Sequence, residues 1–160
     1  MTQLVLLLAL LVGVVAGLRA MTPPAVVSWA AFLNWIHVGD KWSFWMAYPV
    51  TVGILTLLAL VELVTDQLPK TPSRKTTPQF SARLLTGAFA GAVLGSAWHH
   101  TFAALGAGVI GAAFGTLGGY EARRRLATAF GGRDLPAALL EDVVAIGGGF
   151  LIAYLASHVS

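Results

Sequence analysis

Glu62 and Asp66 stand four residues apart near the end of a long apolar stretch, which places both carboxylates on one helix face with Glu62 about one turn deeper. Such a pair can share a proton or hold a cation. It can equally be neutralised by Lys70, by Arg74 or by the arginines near residue 124. Glu141 and Asp142 open a second apolar stretch, where the helix dipole favours acids. Adjacent residues point about 100° apart on a helix, so one of these two should face the interior or a neighbouring base. Arg19 lies beside Thr22-Pro23-Pro24, and a guanidinium next to a helix start can hold an anion. The alternative is an arginine that snorkels to the membrane surface. Lys70, Thr71, Ser73 and Arg74 put cations and hydroxyls into one turn and suggest phosphate or head-group contacts. No glycine-rich phosphate cradle accompanies them.

Other chemistries find little support. The chain contains no cysteine, which removes thiolate nucleophiles and thiolate metal sites. His99 and His100 cannot easily aim at one ion, and with His37 they make a poor metal set, so neither a metal nor a cofactor is expected. No nucleophile–base pair stands out, and the expected protein is not an enzyme.

These residues need elements to position them, and the composition says which kind. Of the 160 residues, 57% are hydrophobic and 11% charged, too apolar for a soluble surface. Stretches 3–20, 44–66, 81–98, 102–122 and 136–157 meet or approach the roughly 20 apolar residues that cross a bilayer. A single all-α domain follows over 1–160, a compact polytopic bundle of about five transmembrane helices. Residues 24–38 add a short helix, bounded by Pro23-Pro24, that is either re-entrant or interfacial.

Eight of the ten Lys and Arg residues fall in two clusters, Lys70, Arg74, Lys75 and Arg83, then Arg123, Arg124, Arg125 and Arg133. Basic loops stay on the cytoplasmic side. Loops 67–83 and 122–135 are therefore assigned to the cytoplasm of a bacterial inner membrane, with residues 99–101 and the C-terminus on the far side. Arg19 then falls near the face opposite the carboxylates. The net charge of +3 is a topology signal, and nucleic acid is not expected as a partner. The apolar stretch 3–20 lacks a basic N-terminal flank and is read as a span rather than a signal peptide.

Gly87, Gly91 and Gly95 form one smooth strip, and Gly111, Gly115 and Gly119 form another. They predict close packing of 81–98 on 102–122, within one chain or across a homo-oligomer. The run Gly147-Gly148-Gly149 marks either an unwound point or a close crossing. A weak internal repeat, L-L-x-G-x-x-A-G, occurs at 10–17 and 84–91. Asp66-Gln67-Leu68-Pro69 is echoed by Arg133-Asp134-Leu135-Pro136. Small transporters are often built from such repeats.

Three stretches together resemble the DUF4126 family of small bacterial integral membrane proteins. They are Gly17-Leu18-Arg19-Ala20-Met21-Thr22-Pro23-Pro24-Ala25-Val26-Val27, Glu62 to Arg74 in the wording E-L-V-T-D-Q-L-P-K-T-P-S-R, and Asp134-Leu135-Pro136 leading to Leu139-Leu140-Glu141-Asp142. The resemblance implies a compact multi-helix inner-membrane protein and carries no activity with it. Gln67 departs from the basic residue of that pattern, so no charge pair is implied there.

The expected function is a small transporter-like or channel-like membrane protein for a small or anionic solute. Glu62, Asp66, Glu141 and Asp142 would carry protons or a cation, and Arg19 with Thr22 would meet the anion. The lipid bilayer and the solute are the expected partners. The alternatives are a structural or assembly partner of another membrane protein, and a protein that handles lipid head groups.

Overall fold

A computed structural model describes residues 1–66 and 76–159. Among them are six α-helices and no strand: α1 (Thr2–Leu18), α2 (Thr22–Phe32), α3 (Pro49–Thr65), α4 (Thr77–Ser96), α5 (Thr101–Ala129) and α6 (Asp134–Ala156). A short 3₁₀ turn, Phe44–Ala47, precedes α3. Helices α5 and α6 are long and apolar enough to cross a membrane, and α1 and α3 are shorter apolar helices.

The helix limits depart from the apolar stretches where local chemistry outweighs hydropathy. α3 begins at Pro49 rather than residue 44, because Pro49 favours a first helical position and holds Tyr48 extended. α4 begins at Thr77, with Pro78 in its first turn. α5 runs past residue 122 to Ala129. Its basic tail is made of good helix formers, and Glu121 pairs with Arg124 and Arg125 one turn on. α2 stops at Phe32 instead of 38, since Asn34 takes a left-handed conformation, φ 61°, and the Trp35 amide closes back on Ala30 O.

Three helices form the centre, with α5 between α1 and α4. A Cβ at Gly13 would strike the Gly108 backbone, and one at Gly108 would strike Gly87. Only glycine permits these approaches. The two copies of L-L-x-G-x-x-A-G thus do one job, giving α1 and α4 each a strip that lies on α5. The strip of Gly111 and Gly115 meets Leu10 and Val14 of α1; it does not pair with the α4 strip, which packs on Ala104, Gly108 and Ala112. α6 is continuous through Gly147-Gly148-Gly149, with Gly149 seated against Val26, so the run marks a crossing and no unwinding.

α1 and α5 run parallel, and α4 runs against both: Gly13 faces Gly108 and Gly17 faces Gly115, whereas Gly87 faces Ala112 and Gly95 faces His100. Arg19 therefore lies at the same end of the bundle as Arg83 and Arg123, while Thr2 reaches His100 at the other end, 3.1 Å away. α2 leaves the Arg19 end buried on nearly every side. The irregular chain beyond it, holding the buried residues Ile36 and Val38, delivers Lys41 to His99 at 3.0 Å. The segment from Thr22 to Lys41 thus travels the length of the bundle, roughly 30 Å by the length of α4, and neither lies across one end nor turns back. The described residues make six lengthwise passes, the second part helix and part irregular. The halves α1–α3 and α4–α6 consequently start from opposite ends.

The outer helices are held more lightly. Val52 is the one buried residue of α3, and Ile54, Leu57, Val61 and Val64 are exposed. Trp29 Nε1 donates to Thr56 Oγ1 at 2.9 Å and ties α3 to α2.

Candidate functional site

The parallel run of α1 with α5 brings Arg19 among the acids instead of to the opposite face. Its side chain is 1% exposed, in an extended residue that ends α1 at φ −142°. Nη1 donates to Asp66 Oδ2 at 2.8 Å and lies 3.5 Å from Glu62 O. Nη2 pairs with Asp142 Oδ1. A guanidinium so deeply buried needs opposite charge beside it, and here the charge arrives on two different helices, Asp66 at the end of α3 and Asp142 near the start of α6. Arg19 Nε is buried without a hydrogen-bond partner among the described residues, an orphan donor of the kind that native interiors usually satisfy.

Glu62 has a separate task. Its Oε1 accepts from the Ala20 amide and its Oε2 from the Met21 amide, both at 2.8 Å. The carboxylate, supplied from α3, fixes the two residues that lead into α2. Thr22 is the first residue of the helix, 4% exposed, behind Met21. Pro23 and Pro24 contribute no amide hydrogen. Glu62 thus engages the two amides that lead into this helix start.

Glu141 and Asp142 diverge as adjacent helical residues must. Asp142 turns to Arg19, and Glu141 Oε2 lies 3.4 Å from Arg123 Nη1. Arg123 also lies 3.7 Å from Asp66 Oδ2. It binds Asp134 through both Nε, at 2.9 Å, and Nη2, at 2.6 Å. Arg83, 2% exposed, donates through Nη1 to Gly17 O at 2.9 Å, a cation on a carbonyl at the α1 C-terminus, where the helix dipole favours it. Arg19, Glu62, Asp66, Glu141 and Asp142 thus meet in one network at the basic end, extended by Arg83, Arg123 and Asp134. Asp134 was not among the expected site residues; its place two residues before Pro136, at the start of α6, was the available signal. Lys70, Thr71, Ser73 and Arg74 lie outside the described residues.

At the other end Lys41 lies between Asp40, 3.2 Å away, and His99. The Lys41 hydrogen bond holds the exposed Asp40 carboxyl below the usual range. Among the described residues no group of three metal-ligating side chains forms. His37 is exposed, and His99 and His100 engage Lys41 and Thr2 separately.

The model of DUF4126, described as a domain of unknown function, matches residues 6–157, a span that includes all three stretches on which the resemblance rests. No curated protein and no solved structure matches the chain.

Proposed function

This chain belongs to the DUF4126 family, a domain of unknown function, and we propose that it is a small transporter-like protein of the bacterial inner membrane that binds a small anion at Arg19. In this reading all six passes cross the bilayer, the second as a helix broken at Asn34. The basic loops 67–83 and 122–135 face the cytoplasm. Exposed apolar faces on α3 and α6 then meet lipid tails, and the irregular backbone beyond α2 is tolerated because it is buried in protein. Opposed three-helix halves and a broken helix are recurrent features of carriers.

The observation that carries the solute class is Arg19 itself. A buried guanidinium keeps its charge and must keep a counter-charge. Its present partners, Asp66 and Asp142, are small carboxylates delivered by two outer helices. They occupy the positions a small carboxylate or inorganic anion would take, and the free Nε donor offers such an anion one more bond. Glu62, held by two backbone amides, keeps the frame of the site while its neighbours exchange.

The test is thermal stability of the purified full chain in detergent against chloride, nitrate, acetate and inorganic phosphate. A ligand that binds the folded state raises the unfolding temperature by mass action. At least one anion should do so in the wild type and none in a folded Arg19→Ala variant. The assembly-partner reading is favoured by the carboxylates of the chain itself that already pair with Arg19, and it predicts a flat screen with every anion. Stabilisation by anionic phospholipid alone, surviving Arg19→Ala, would point to head-group handling at the basic loops.

A further inference from the structure

Away from Arg19, an apolar groove runs along the outside of the bundle. Leu85, Ala88, Phe89 and Ala92 of α4 line it with Phe102 and Leu105 of α5, and its volume is about 520 Å³, within the size range of small-molecule sites. Leu85 and Ala92 lie roughly 10 Å apart along α4, so the groove follows the bundle axis. Trp42 and Thr101 also line it, and they bring it to the end of the bundle where Lys41 meets His99. We propose that the groove holds one acyl chain of a phospholipid whose head group carries a primary ammonium beyond its phosphate, with the phosphate at Lys41 and the ammonium at Asp40. The inference rests on the bilayer placement proposed above and is independent of the anion.

The groove itself calls for an apolar occupant. Leu85 is 70% and Phe102 87% exposed, whereas Ala92 is buried, so small residues leave a depression that large apolar ones overlook. The Trp42 ring stands edge-on to Phe89 with centroids 6.2 Å apart, an aromatic side chain of the kind that settles at head-group depth. The groove runs inward from a charged rim, as an acyl chain runs inward from its head group. A helix of a partner protein laid along it would have to bring both signs of charge to that rim, and a phospholipid with an ammonium carries both there by construction.

Charge complementarity selects the head group. The Lys41 ammonium has three hydrogens; one goes to Asp40 Oδ2 at 3.2 Å and one to His99 Nε2 at 3.0 Å, which leaves one for a phosphate oxygen. The two charges of the rim lie at different depths, since the Lys41 side chain is 13% and the Asp40 side chain 80% exposed. The phosphate of a phospholipid is likewise the deeper charge and its ammonium the outer one. Each charge of the lipid then faces its opposite, and a neutral head group meets a neutral pair. A trimethylammonium has no hydrogen to donate to Asp40, and a glycerol head group leaves the phosphate charge in excess.

The experiment is native mass spectrometry of the delipidated full chain in detergent, titrated with phosphatidylethanolamine, phosphatidylcholine and phosphatidylglycerol of identical acyl chains. One phosphatidylethanolamine per chain should bind, roughly tenfold more tightly than either of the others, the size of one hydrogen bond to a charged group. Asp40→Asn should bring phosphatidylethanolamine level with phosphatidylcholine, and Lys41→Gln should weaken all three. Ala88→Leu, which fills the groove, should abolish binding; the two rim variants decide the matter if it does not elute as folded protein. Equal affinity of the wild type for the three lipids, or a preference that survives Asp40→Asn, overturns the head-group assignment. Full binding by folded Ala88→Leu overturns the groove as the site. A wild-type dimer that binds no lipid and that Ala88→Leu separates gives the groove to a second copy of the chain and overturns the lipid. A chain that stays in solution without detergent overturns the bilayer placement and this inference together, whereas a flat anion screen leaves the inference standing.

Discussion

Glu62 shows how one side chain can be read for stability apart from solute binding. Its two oxygens hold the Ala20 and Met21 amides, so Glu62→Gln keeps the shape, loses the charge and can accept through only one side-chain oxygen. Orphaned buried donors cost about 1–3 kcal/mol each, and chemical unfolding in detergent should show a loss of that order. Asp134→Asn is the control. Its side chain is 63% exposed, solvent screens the pair, and the loss should be much smaller. The acids themselves were legible because charge is rare in this chain and each occurs where an apolar stretch begins or ends. Their partners were not. Pairing Arg19 with Asp66 depends on the direction of α1, and residue types near Arg19 do not encode direction. Nor does the sequence near Thr22 reveal that a carboxylate from a distant helix holds the Ala20 and Met21 amides.

Packing of whole helices follows from where a methyl group fits. Gly108 has Gly87 on one side and Gly13 on the other, so Gly108→Ala must part α5 from α4 and should destabilise by about 1–3 kcal/mol. Gly106 has nothing within 4 Å of an added Cβ; Gly106→Ala should stabilise, by up to about 1 kcal/mol from helix propensity. Opposite signs for these two variants in thermal unfolding would establish that spacing, and not glycine content, governs α5. The smooth strips were visible in the sequence as four-residue ladders. Which strip met which helix was not, because a ladder records a close approach without naming the partner. α5 outran its apolar stretch for a related reason: hydropathy ends at the arginines, but helix propensity and the Glu121 pairs do not.

At the scale of the whole molecule, the six passes differ from a five-helix count at one testable place, the N-terminus. The chain has no cysteine, so single cysteines report cleanly. In proteoliposomes a membrane-impermeant maleimide should label Gln3→Cys and Gly39→Cys from one side and Ala129→Cys from the other. Five crossings with α2 at one surface would place Gln3→Cys with Ala129→Cys. Hydropathy missed the second pass because half of it is not helical and its apolar run is too short for an ordinary span. The function proposed for the whole molecule is passage of a small anion at Arg19. Its most direct measurement is uptake of chloride, nitrate and inorganic phosphate into proteoliposomes that contain the purified chain. At least one of these anions should be taken up, and Arg19→Ala should abolish that uptake. Reconstituted, folded protein that moves none of them, or moves them equally well without Arg19, would contradict it.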